Sequence, residues 1–202
     1  MGLRLSDGVD RDVGYRRRDD TLFQAEEVVL MELAVFLRAV NLGSTNKISM
    51  DKLRTVLGEA GFSYVRTYLN SGNLTMHCIL PLNEVANQIR HLIKVNFGLD
   101  IDVFVYLLAT LRSAIDHGVF AQLTADQIPY VVFMDREVDI EVPGDLQHIH
   151  LLTRDGSMLF CYGTISNQHT SFPNVLIEKK YKVRCTSRNL HTIRKILQAS
   201  SR

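Results

Sequence analysis

Apolar and polar positions along this chain follow two periods, and the switches between them mark its elements. Leu33-Ala-Val-Phe-Leu-Arg-Ala-Val40 is a nearly unbroken apolar run, as a strand covered on both faces requires. From Ser49 the period becomes helical. Met50, Leu53, Val56 and Leu57 form one stripe, Ser49 can cap it and Gly61 ends it. Tyr64 to Leu69 predicts a second strand, Asn70-Ser-Gly-Asn73 a tight turn, and Leu74 to Leu80 the returning strand of a hairpin. Pro81 then opens a helix to Phe97, with Val85, Ile89, Leu92 and Ile93 on its apolar face and Gly98 as its stop. Ile101 to Leu107 predicts a fourth strand.

The order β-α-β-β-α-β is that of a split β-α-β, or ferredoxin-like, unit. Its connectivity has a spatial consequence. A right-handed crossover makes the first two strands parallel, so both finish at one end of the sheet. Loop 41–48 and turn 70–73 should therefore be neighbours, although they are far apart in sequence.

The second half reads as a looser copy. Leu108 to His117 predicts a helix and Pro129-Tyr-Val-Val-Phe-Met134 a strand. A polar loop follows over 135–144. Gln147 to Thr153 and Met158 to Gly163 flank Asp155-Gly156, a hairpin signal. Asn174 to Tyr181 predicts a helix, and Arg188 to Ala199 a closing one with Leu190, Ile193, Ile196 and Leu197 as its stripe. The expected fold is α+β: duplicated ferredoxin-like units with antiparallel sheets, one over 31–107 and a looser one over 108–202. Residues 1–30 read as a disordered or non-native extension, and Met31 as a natural start. The charge of Arg16-Arg17-Arg18 is cancelled by Asp7, Asp10, Asp12, Asp19 and Asp20, so this segment is not read as a nucleic-acid arm.

A chain of 202 residues with 46% hydrophobic residues can bury a substantial core. Its net charge of +1 argues against a whole-molecule electrostatic glove for nucleic acid. Cys78, Cys161 and Cys185 are odd in number and widely spaced, which argues against a disulfide framework or a zinc site and fits a reducing, cytoplasmic setting. No metal set is predicted and no cofactor fingerprint is present. Leu42-Gly-Ser-Thr-Asn-Lys47 lacks the second glycine and the Lys-Ser/Thr of a phosphate loop. No apolar run reaches the roughly 20 residues of a spanning helix, so no membrane partner is expected.

The candidate chemistry lies in the polar loops. Arg38 ends an apolar strand, so its guanidinium needs either a partner or solvent. Arg38 and Lys47, with loop amides, could recognise an anion; alternatively, Arg38 could be a structural salt bridge or carbonyl clamp. Asn41, Asn46, Ser71 and Asn73 could touch a ligand or could fix their own turns. Gly43 and Gly72 supply positive φ and allow close approach to the backbone. Arg188 and Asn189, at the start of the expected last helix with Thr186 or Ser187 as cap, form a second candidate anion site. Asp100 and Asp102 read as strand-edge solvation. No nucleophile–base pair can be assigned, so whether a reaction is catalysed stays open.

Two of these runs resemble a known family. Arg38-Ala-Val-Asn-Leu-Gly-Ser-Thr-Asn-Lys47, with the Met50 helix, Gly61-Phe62 and Thr67-Tyr-Leu-Asn-Ser-Gly-Asn73, is similar to the N-terminal signature of the domain-of-unknown-function family 1697. Thr186-Ser-Arg-Asn-Leu-His-Thr192 resembles the family's closing-helix motif. Ala39 stands where the pattern has glycine, Ser44 where it has another, and Leu190 where it has tryptophan. The resemblance implies a two-part α/β fold on ferredoxin-like units and implies no activity. The functional expectation is therefore a small anionic or phosphate-bearing ligand at the rim of loop 41–48 and turn 70–73. The alternatives are a nucleic-acid-associated module and a protein-interaction or regulatory domain without catalysis.

Overall fold

The computed structural model of the chain describes residues 29–165 and 172–200. The extension expected over 1–30 lies outside them, apart from its last two residues. The first part runs β1 (Met31–Leu37), α1 (Met50–Glu59), β2 (Ser63–Tyr68), β3 (Asn73–Cys78), α2 (Leu82–Phe97) and β4 (Val103–Leu107). Its four strands form one sheet in the order β2-β3-β1-β4, with every neighbouring pair antiparallel. Strand β1 sits inside this sheet, and Leu33 to Leu37 are wholly buried.

The alternation of β1 explains why the run is apolar throughout. Leu33, Val35 and Leu37 face α1 and α2, in one cluster with Leu53, Leu57, Ile89 and Ile93. Ala34 and Phe36 face the opposite way, into a second cluster with Phe104, Val131, Phe133 and Phe160. The second cluster is where a second sheet packs.

That sheet belongs to the remaining elements: α3 (Leu108–Asp116), β5 (Gln127–Met134), β6 (Gly144–Leu146), β7 (Ile149–Asp155), β8 (Met158–Thr164), α4 (Pro173–Tyr181), β9 (Cys185–Asn189) and α5 (Leu190–Ser200). Its order is β6-β7-β8-β5-β9, again antiparallel throughout. Val131 and Phe133 of β5 face the first sheet, and Val132 and Met134 face a third cluster with Leu176 and Ile177 of α4. The Phe36 and Phe133 rings stack at 4.0 Å between centroids. The Tyr106 hydroxyl adds a polar tie between the sheets, lying 3.1 Å from the Met134 carbonyl and 2.9 Å from Ser157 Oγ. Helices α3 and α5 contribute Leu111, Ile193 and Ile196 to the same inter-sheet core.

The fold is thus α+β with antiparallel sheets, but the expected duplication is not seen. Among the described residues four strands, β5 to β8, follow one another before helix α4, whereas the first part runs β-α-β-β-α-β. Two local expectations also change. Residues 185–189 form edge strand β9 paired to β5, although the closing helix is expected to start at Arg188. Burial of Cys185 and Thr186 against the sheet outweighs the helical pattern there. The helix begins at Leu190, and its cap is Asn189, whose Oδ1 accepts the Thr192 N–H at 2.8 Å, rather than Thr186 or Ser187. Strand β6 lies just after the expected polar loop 135–144, beginning at its last residue, and owes its extension to pairing with β7.

Candidate functional site

The loop after β1 is built from left-handed residues. Ala39, Asn41, Gly43 and Asn46 have φ of 53°, 55°, 55° and 47°. Asparagine tolerates that region better than most side chains, because its short amide can bond locally. Asn41 Oδ1 accepts the Ile48 N–H, and its Nδ2 donates to the carbonyls of Ile48 and Asn70. Asn46 Nδ2 donates to the Ala39 carbonyl at 3.0 Å. The Asn41–Asn70 bond, 2.8 Å long, joins loop 41–48 to turn 70–73 as the topology requires.

In the turn, the Gly72 carbonyl accepts the Leu37 N–H at 2.7 Å, with Gly72 at φ 73°. A Cβ on Gly72 would stand 2.7 Å from the Leu37 Cβ. Only glycine permits this approach. Asn73 is wholly buried; its Nδ2 donates to the Tyr68 carbonyl and to Ser71 Oγ.

Arg188 reaches this turn from the other sheet. Its Nε donates to Asn73 Oδ1. One terminal nitrogen donates to Thr186 Oγ1 and the Ser187 carbonyl, and the other to the carbonyls of Leu37 and Ser71. The guanidinium also lies over the Phe36 ring, 5.7 Å from its centroid. All five donors are used, and no contacting partner is anionic. Burial lowers its pKa to about 10, so it remains a cation at neutral pH.

Arg38 turns away from the hairpin. It pairs with Glu178 at 2.8 Å and with Asp102 at 3.6 Å. Asp102 is not a solvated strand-edge carboxylate: Arg90 and Arg184 also donate to it, at 2.7 and 3.0 Å. The Arg38 charge is therefore compensated, and the clamp reading applies to it. Lys47 is exposed at a shallow pocket that it shares with Asn41, Ser49, Asp51 and Asn70. Asp51 brings a carboxylate into that pocket, and Ser49 Oγ caps α1 by accepting the Lys52 N–H. Both features weigh against an anion there.

A larger cleft, about 430 Å³, opens where the two sheets meet. Arg38, Ser71, Arg188 and Asn189 line it. Asn41 and Lys47 line the shallow pocket instead. Gly43, Asn46, Gly72 and Asn73 line neither. The polar floor of the cleft is the free edge of β9. The Asp135 N–H donates to the Arg184 carbonyl, and the Cys185 N–H points outward to Glu178. By strand alternation the N–H groups of Ser187 and Asn189 also point outward. Among the described residues no acceptor takes either one. The lip is apolar: Leu42, Phe172 and Val175 are 59%, 60% and 47% exposed, with Tyr130 nearby. These four were missed as site residues by sequence reasoning; an exposed aromatic directly before Pro173 is the signal that could have found the lip.

No histidine or carboxylate lines this cleft. The Ser187 hydroxyl donates to Asn174 Oδ1, and the Thr186 hydroxyl oxygen accepts from Arg188. Cys185 lies beneath the cleft with its thiol pushed up by burial. Among the residues lining the cleft, no hydroxyl is paired with a histidine or a carboxylate.

Residues 31–153 match the family model for a protein of unknown function, DUF1697. The chain belongs to that family. No curated protein matches it. Among solved structures, a conserved bacterial protein from Streptococcus pneumoniae is similar in fold, with a TM-score of 0.61 at 18% identity, covering 84% of this chain and 98% of that one. The family glycine replaced by Ala39 now has a physical reason, because that position is left-handed. Among the described residues no helix is long and apolar enough to cross a membrane, and no group of three or more metal-ligating side chains is found.

Proposed function

We propose that this DUF1697 member binds a small ligand carrying an anionic or phosphate group, and that it does so in the inter-sheet cleft rather than at the loop tips. The observation that carries this reading is the combination of open amides at Ser187 and Asn189 with a guanidinium, Arg188, whose bonding partners are all neutral. Its uncancelled charge lies beside two unused donors, next to an apolar lip suited to the body of a small molecule. The volume falls within the range of small-molecule sites, roughly 300–1,000 Å³.

The alternative of a nucleic-acid module needs an open sheet face carrying aromatics. The first sheet is covered on one face by α1 and α2 and on the other by the second sheet. That leaves the cleft as the favoured surface.

The test is native mass spectrometry of the gently purified protein, followed by thermal-shift titration with inorganic phosphate, pyrophosphate and aryl phosphates. Val175→Trp, at an exposed position on the lip, fills the cleft and should abolish any bound mass and any shift while leaving the unliganded melting temperature near wild type. Equal responses from wild type and this variant, or no response from wild type, would sink the reading.

A further inference from the structure

We propose that the free edge of β4 is a strand-addition site for an extended peptide segment of a partner protein. The Arg38 N–H donates to the Asp102 carbonyl at 3.0 Å, and the register pairs Phe36 with Phe104 and Ala34 with Tyr106. Antiparallel ladders alternate, so Phe104 and Tyr106 direct their backbone groups to β1. Val103 and Val105 direct theirs off the sheet. Among the described residues nothing bonds to those groups.

A cleft of about 270 Å³ runs along this edge. Leu82, Asn83 and Ala86 of α2 form one wall, and Met134 and Ser157 of the second sheet form the other. A strand entering here would continue the first sheet between the two layers that already cover it. The sequence Val-Phe-Val-Tyr-Leu has none of the charge or proline that normally protects an edge. At the edge of β9, by contrast, Glu178 of α4 takes the Cys185 N–H, so only the Ser187 and Asn189 amides stay open.

Unpaired N–H and C=O groups at every second residue are complemented by another extended backbone and by little else. The recess has α2 on one side and the second sheet on the other, an approach that a lone extended segment can make more readily than the edge of a second folded copy. Charge does not choose a direction: Arg90 and Arg184 line the Asp102 end, but both pair with Asp102, and Arg184 also pairs with Asp135, which lines the same cleft. Each still has a terminal guanidinium nitrogen (Nη1 of Arg90, Nη2 of Arg184) without a protein acceptor among the described residues, a donor for a peptide carbonyl at this end.

The experiment is selection of a random nonapeptide display library on the full chain, followed by synthesis of the enriched peptides. Methylating their backbone nitrogens one at a time should weaken binding about tenfold at alternate positions only. Val105→Pro removes an outward N–H without touching the ladder, and Ala86→Trp fills the groove; each should weaken binding. The proposal is overturned by any of four results: no enrichment, a methylation profile without alternation, unchanged binding in both Val105→Pro and Ala86→Trp, or concentration-dependent self-association through this edge.

Discussion

Replacing Arg188 by Met should destabilise the protein by about 3–5 kcal/mol, because it removes a buried cation around which two sheets are joined. The wild-type guanidinium makes five hydrogen bonds, four of them 2.8 Å or shorter. Bonds to a charged donor are worth about 1.5–3 kcal/mol each when measured singly. They are not additive here, since water from the adjacent cleft can replace some of them. Asn73 Oδ1 has no such recourse, because Asn73 is wholly buried and its Nδ2 is already committed. Lys at 188 keeps the charge but offers three donors from one point, so it should recover less than half of the loss. Arg38→Met is the control. Its side chain is 37% exposed, and removing its pair with Glu178 should cost about 1 kcal/mol or less. The assay is urea unfolding followed by far-UV circular dichroism and by tyrosine fluorescence, which suits a chain without tryptophan. The denaturant slope should be unchanged. A loss below about 1 kcal/mol for Arg188→Met, or a loss matching that of Arg38→Met, would refute the joint role.

Ala39→Gly should stabilise by roughly 0.5–1 kcal/mol: relief of the left-handed strain exceeds the added unfolded-state entropy, and differential scanning calorimetry should show a higher melting temperature. Gly72→Ala should cost roughly 2–4 kcal/mol in the same measurement, because strain and the clash with Leu37 act together. Tyr106 has its pKa raised to about 12, chiefly by burial. The folded protein therefore holds a proton that the unfolded chain releases near pH 10, so this group's stabilisation is full below pH 10 and fades as pH rises towards 12. The absorbance titration of wild type minus Tyr106→Phe at the tyrosinate band should show that late midpoint; a midpoint near the ordinary value would contradict the burial argument. All three cysteines are buried, and the Cys161 and Cys185 thiols are pushed up by burial, so a thiol reagent should label none of them in the native protein and all of them in denaturant.

The elements legible in the sequence are those whose pattern is set by one buried face. The strand read over Leu33 to Val40, the Met50–Leu57 stripe and the Leu190–Leu197 stripe each show their period directly, and each appears in the structure, the strand ending at Leu37 before the left-handed Ala39. Strand β9 was not legible, because Cys185-Thr-Ser-Arg-Asn189 has no alternation of its own and is extended only through pairing with β5, far upstream. The adjacency of loop 41–48 and turn 70–73 could be derived, since it follows from connectivity. The partners of each charge could not. Asp100-Ile-Asp102 looks like solvation until Arg38, Arg90 and Arg184 arrive from three separate segments.

The same limit bears on the candidate site. Asparagine, glycine and arginine in polar loops resemble ligand-binding chemistry, yet here Asn41, Asn46, Gly72, Asn73 and Arg188 spend their bonding capacity on closing the loops and joining the sheets. A group that is already saturated cannot donate to a ligand. What remains for binding is what that joining leaves open: two amides at the β9 edge, the unneutralised charge of Arg188, and four apolar side chains around them. It follows that substitutions in the polar signature should be read mainly in stability, whereas substitutions at Val175, Phe172 or Leu42 should be read mainly in binding. If instead the lip variants unfold and the Asn41 or Asn46 variants lose a ligand while staying folded, the division of labour drawn here is reversed and the site returns to the loop tips.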